Sequence, residues 1–94
     1  IQGIIVNAKE SQGRRFIVAD YAIGTSENDV IEELENRDPQ IRNEIITFLR
    51  KHTIEQVLAD SFQTTSKNLL KEAINTRLYS GEVDSIYFTQ LIVK

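Results

Sequence analysis

Two segments with a two-residue apolar period sit at opposite ends of the chain, and the stretch between them follows a helical period. At the start, Ile4-Ile5-Val6 is a β-branched run suited to a strand. The polar segment Lys9 to Arg14, which contains Gly13, reads as a hairpin loop. A second strand runs from Arg15 to Ile23, with Ile17, Ala19, Tyr21 and Ile23 on one face and Phe16, Val18, Asp20 and Ala22 on the other. Gly24 ends it. A third strand spans Val83 to Val93; strict alternation puts Tyr87, Leu91 and Val93 on one face and Ile86, Phe88 and Ile92 on the other. Strands at both ends of a short chain must pair across its helical middle. The predicted class is therefore α+β: a small, mainly antiparallel sheet of two N-terminal strands and a C-terminal strand, covered on one face by three to four helices. Both faces of the last strand are apolar, and helices can cover only one. The other face is either a second layer of core or a surface covered by a neighbouring molecule.

The helical middle is punctuated by capping signals. Ser26 is placed to cap a helix whose stripe is Val30, Ile31 and Leu34, with Glu27, Asp29 and Glu32 complementing its positive end. Asp38-Pro39 restarts the helix, because proline at a first helical position forfeits no hydrogen bond. Ile41, Ile45, Phe48 and Leu49 then recur on one face, and Arg50, Lys51 and His52 crowd the last turn. Thr53 and Gln56 fit a capping box that opens a short helix with Ile54, Val57 and Leu58 inward. A longer helix starts near Ser61 or Thr64 and runs to Tyr79 along Leu70, Ile74 and Leu78, with Leu69 and Ala73 beside them; Ser80-Gly81 closes it.

Composition narrows the chemistry. The 94 residues amount to one domain, spanning 1–94, with one modest core. There is no Cys, which excludes disulfides, zinc-thiolate sites and thiol nucleophiles, and the single His52 reads as a helix-end cation rather than a ligand. There is also no Met, so Ile1 reads as the start of an excised or processed piece. No run of about 20 apolar residues is present to cross a membrane. The net charge of −3 argues against a nucleic-acid surface, and it is unevenly spread. Residues 27–38 hold six acids (Glu27, Asp29, Glu32, Glu33, Glu35, Asp38) and one base, Arg37: a local −5 on a remainder of +2. That run lacks the alternating ligands and central glycine of a calcium loop and reads as a solvated helix face. No Gly-rich phosphate loop occurs, and no carboxylate pair stands out from the fourteen acids.

Several stretches together resemble the C-terminal domain of the FliL family of flagellar basal-body-associated proteins. They are Val6-Asn7 and Arg15-Phe16; Glu33-Leu34, Arg37, Pro39, Ile41-Arg42-Asn43, Ile45-Ile46 and Leu49; Thr53, Glu55 and Val57-Leu58; Leu70-Lys71, Ile74-Asn75 and Leu78; and Gly81, Val83, Ile86-Tyr87-Phe88-Thr89 and Leu91-Ile92-Val93. Each is weak alone, but the ordered set spans nearly the whole chain. The 60–68 stretch departs from the family pattern in lacking a Gly-containing turn, which leaves the start of the long helix open.

The resemblance implies a fold similar to the stomatin/prohibitin (SPFH) domain. It implies the periplasmic domain of a single-pass inner-membrane protein at the flagellar basal body, with its membrane anchor upstream. The implied role is non-catalytic: association with the MotA–MotB stator, as a ring of copies, in support of torque and motility. No cofactor, nucleic acid or small-molecule substrate is implied. A stomatin-like membrane scaffold unrelated to flagella is the alternative. A ring needs unlike surfaces that meet head to tail. The acidic residues Glu32, Glu33 and Glu35 are the expected first surface, against a basic one drawn from Arg14, Arg15, Arg42, Arg50 or Lys51.

Overall fold

The computed structural model describes residues 3–94. Three strands, β1 (Ile4–Asn7), β2 (Phe16–Gly24) and β3 (Ser85–Val93), form one antiparallel sheet in the order β1-β2-β3. Between β2 and β3 come α1 (Asn28–Asn36), α2 (Asp38–Arg50), α3 (Ile54–Leu58) and α4 (Phe62–Asn75). The expected α+β class holds, with the helices on one face of the sheet.

The core lies between that face and the helices. Ile17 and Ala19 from β2 meet Ile41, Ile45 and Leu49 from α2 and Leu70 and Ile74 from α4, all fully buried. Each such Leu or Ile contributes about 1.5–3 kcal/mol by leaving water. The aromatic rings of Tyr21, Phe88, Phe62 and Phe48 continue the core in a row, with Tyr21 and Phe88 centroids 4.5 Å apart and Phe62 and Phe88 5.9 Å apart. His52 belongs to this row: its ring packs on Phe48 and edge-on to Phe62, and its Nδ1–H donates to the Phe48 carbonyl at 2.9 Å. Burial also pushes the pKa of the Tyr21 phenol up, so it stays neutral.

The face assignment of the last strand is corrected. Asp20 stands opposite Gln90 while Tyr21 stands opposite Phe88, so Thr89 is an extra residue in β3, a β-bulge. The bulge reverses the alternation. Ile86 and Phe88 before it, and Leu91 and Val93 after it, all turn toward the helices. Tyr87 therefore parts from Leu91 and Val93 and joins Ile92 on the open face. Much of the surplus apolar surface is thus absorbed into the core. What remains outside is Phe16, Tyr87 and a row of Ile5, Val18 and Ile92 across the three strands.

Several ends and faces also shift. The N-cap of α1 is Glu27, not Ser26; the Ser26 N–H donates to Asp84 Oδ2 at 2.9 Å, and the Thr25 hydroxyl donates to the Glu82 carbonyl at 3.1 Å. Arg37 precedes α2, so Pro39 takes the second helical position while Asp38 turns to Arg42. The Thr53–Gln56 capping box forms with both bonds, at 3.2 and 2.8 Å. Helix α4 starts at Phe62 and stops at Asn75, four residues before Tyr79. The side chain of Asn75, the last residue of the helix, reaches the Val83 backbone, accepting from its N–H at 2.8 Å. Ile31, Leu58 and Leu69, expected inward, lie exposed at the margins of their helices.

Gly81 is not a helix cap. It lies in the loop before β3 at φ 157°, and a Cβ there would strike Glu27 Oε2 and come within 2.9 Å of Val30 Cγ2. Only glycine lets this loop lie on α1.

The bulge makes a sharp prediction. Phe88→Ala is expected to cost about 3 kcal/mol in chemical denaturation, as a packed aromatic does, whereas Tyr87→Ala is expected to cost less than about 1 kcal/mol. Equal losses would contradict the assigned faces.

Candidate functional site

Antiparallel pairing gives the sheet two ends, and the charges divide between them. At the Phe16 end, the β1–β2 turn carries Lys9, Arg14 and Arg15. The Lys9 N–H donates to the His52 carbonyl at 2.8 Å, which brings Arg50 and Lys51 of the α2 terminus alongside. Lys94 pairs with Phe16 through two backbone bonds of 2.8 and 2.9 Å, and Arg15 Nε donates to its carbonyl at 3.2 Å. Six cations thus gather at one end, with Glu10 and Glu55 as the neighbouring acids.

The Gly24 end carries α1, the start of α2 and the loop from Tyr79 to Asp84. Its acids fall into two groups. Glu33 is spent internally: its carboxylate accepts from the Tyr79 N–H at 3.0 Å, the Ser80 N–H at 2.9 Å and the Ser80 hydroxyl at 2.6 Å, and pairs with Arg37 Nε at 3.0 Å. Only 12% of its side chain is exposed. Asp38 pairs with Arg42 at 2.9 Å, Glu44 pairs with Arg77 at 2.6 Å, and Glu27 accepts from the Glu82 N–H at 3.3 Å. Asp29, Glu32 and Glu35 form the second group. They are exposed and have no ion pair among the described residues.

The sequence-derived contact residues therefore separate. Arg14 and Arg15 lie together at the basic end with Arg50 and Lys51. Arg42 does not join them; it lies on α2 at the acidic end, bound to Asp38. Glu32 and Glu35 face solvent, while Glu33 faces the loop. Sequence reasoning passed over Tyr79, a residue 85% exposed whose ring stacks on Arg37, with the guanidinium carbon 4.6 Å from the centroid. No periodic signal marks it, because it lies in the loop after α4. Lys9 and Lys94 were also passed over, since only strand pairing brings them to the same end.

The molecule measures 40 × 24 × 20 Å, and its charged ends lie along the strand direction, separated by the nine residues of β2, roughly 30 Å. With screening over about 8 Å at physiological ionic strength, each end acts on whatever adjoins it and not on the other. Among the described residues no group of His, Cys, Asp or Glu side chains is placed to hold a metal ion, and no helix is long and apolar enough to cross a membrane.

The described residues thus form an α+β domain with opposite charges displayed at its two ends. The family model for "Flagellar basal body-associated protein FliL" matches residues 1–93. The chain is 30% identical over 89 residues to "Flagellar protein FliL" of Bacillus subtilis (strain 168), covering 95% of this chain and 61% of that protein. It is 23% identical over 90 residues to "Flagellar protein FliL" of Aquifex aeolicus (strain VF5), covering 96% of this chain and 56% of that protein. The chain belongs to the FliL family of flagellar basal body-associated proteins. It spans about six-tenths of the length of these relatives.

The Glu33 site titrates in a predictable sense. The Ser80 hydroxyl, then the Ser80 N–H, with lesser help from the Tyr79 N–H and the Arg37 charge, holds its carboxyl below the ordinary value of 4.5. The stabilisation is complete above that ordinary value and is lost as pH falls through the lower, folded-state value. Amide-exchange protection of Tyr79 and Ser80 should therefore drop in acid. In Glu33→Gln it should already be weak at pH 7 and change little on acidification.

Proposed function

We propose that this domain is the assembly module of a flagellar motor accessory protein. It acts without catalysis and without a cofactor, as the periplasmic part of a single-pass inner-membrane protein. Its partners are other copies of itself, in a ring, and the MotA–MotB stator, whose torque it supports. Membership of a flagellar basal-body family supports the motor setting. The observation that carries the assembly reading is the charge division. The exposed acids Asp29, Glu32 and Glu35 and the basic cluster around Arg14, Arg15 and Lys51 lie at opposite ends of one axis. Unlike surfaces at opposite ends are what a head-to-tail contact requires, and complementary charge sets register and speeds encounter. Membrane anchoring raises the effective concentration of the domains, so a weak contact suffices.

The reading is tested in the host. Deletion of the gene should reduce swimming in viscous medium and lower stator occupancy. Restoring a Glu32→Lys/Glu35→Lys protein should fail to recover either. Glu33 is left intact in that variant because its carboxylate holds the Tyr79–Ser80 backbone. Normal motility with normal stator occupancy in the deletion strain would sink the motor role.

A further inference from the structure

Among the described residues, Tyr79 is the most exposed of the large apolar and aromatic residues, yet its backbone is pinned. Its N–H donates to Glu33, the next residue bonds the same carboxylate twice, and the Arg37 guanidinium stacks against its ring. Arg37 is fixed in turn by Glu33, by Gln40 Oε1 at 3.1 Å and by the Arg77 carbonyl at 3.4 Å. The ring is thus a rigid projection whose ordering cost is met before any partner arrives. Beside it runs a groove of about 440 Å³, with Tyr79 and Ser80 on one wall and Asp29, Glu32 and Asn36 of α1 on the other. Arg37, which also lines the groove, takes one face of the ring and is neutralised by Glu33; the exposed remainder of the ring, next to the unpaired Asp29 and Glu32, fits a second cationic side chain, held by the ring quadrupole and by charge at once.

The molecule itself displays such a group at its far end. Arg14, Arg15 and the half-exposed Phe16 are consecutive where the β1–β2 hairpin loop enters β2. We propose that the groove between Tyr79 and α1 receives the Arg14-Arg15-Phe16 tip of a second copy. One arginine lies over Tyr79 between Asp29 and Glu32, and Phe16 covers the edge of the ring. Groove and tip lie at opposite ends of β2, so every copy offers one of each. The contact is heterologous; it propagates and closes into a ring if the rotation per copy permits. The proposal rests on the self-assembly part of the proposed function and names the residues that meet.

The test uses the full-length protein in its own membrane. This chain has no Cys; with any cysteine outside it replaced by serine, Tyr79→Cys combined with Arg15→Cys introduces one pair per copy. Oxidation should give a ladder of dimers, trimers and longer species, and neither single variant should form any. Tyr79→Ala, at an exposed position, should leave the fold intact and weaken assembly about tenfold, while Tyr79→Phe keeps it. Dimers from Tyr79→Cys alone would overturn the proposal, because they require like surfaces to meet. If the wild-type protein assembles but the pair does not cross-link and Tyr79→Ala assembles normally, this contact is wrong and the assembly reading stands. If the wild-type protein does not self-associate in its membrane, both fall together.

Discussion

Among the described residues β2 is the only strand paired on both sides, and its direction orders the rest of the molecule. Its Phe16 end is tied to the hairpin and to Lys94; its Gly24 end leads directly into α1 and pairs with the start of β3. Residues far apart in sequence are sorted to one end or the other by where they attach along this strand. Helix α2 lies against β1, with Asp38 and Ile41 beside Tyr21 and Ile23 and its far end bonded to Lys9 through the His52 carbonyl, so its first and last turns fall at opposite ends of the sheet. The charge division is therefore built into the pairing of the sheet and the course of α2. It does not depend on flexible surface side chains finding each other.

At the acidic end, structure and surface use different carboxylates. Glu27, Glu33 and Asp84 satisfy backbone N–H groups where α1 meets the loop before β3, and Asp38 and Glu44 neutralise arginines. These acids close a corner that carries little apolar packing, with Val30 and Val83 as its buried contribution. Asp29, Glu32 and Glu35 are left to face solvent on the same helix. A local charge of −5 overstates the surface that a partner meets, and the exposed part is both smaller and better placed than the sequence run suggests.

Much of the fold was legible because its signals are local. The α2 stripe, the Thr53–Gln56 cap and the strands at the chain ends follow from periodicity and side-chain chemistry within a few residues. The bulge at Thr89 was not legible, since nothing in Phe88-Thr89-Gln90 marks an extra residue until β2 lies alongside. The early end of α4 was hidden for a similar reason: the acceptor that takes the Tyr79 and Ser80 N–H groups out of the helix is Glu33, more than forty residues away. For the candidate site, the sequence displayed the acids and the arginines but not their separation. It could not divide Glu33 from Glu32, or place Arg42 with the acids, because those roles are set by tertiary partners.

Unlike ends on one axis, with a rigid aromatic corner at the acidic one, make head-to-tail contact the central claim. It is tested most directly by mixing two charge-reversed forms of the full-length protein. One carries Asp29→Lys/Glu32→Lys, so that both contacting patches are basic; the other carries Arg14→Glu/Arg15→Glu, so that both are acidic. Assembly size is measured for each alone and for the mixture. Each form alone should remain unassembled, because like ends meet, and the equimolar mixture should recover assemblies of alternating composition. Assembly by either form alone, or none in the mixture when the wild-type protein assembles, would contradict the account.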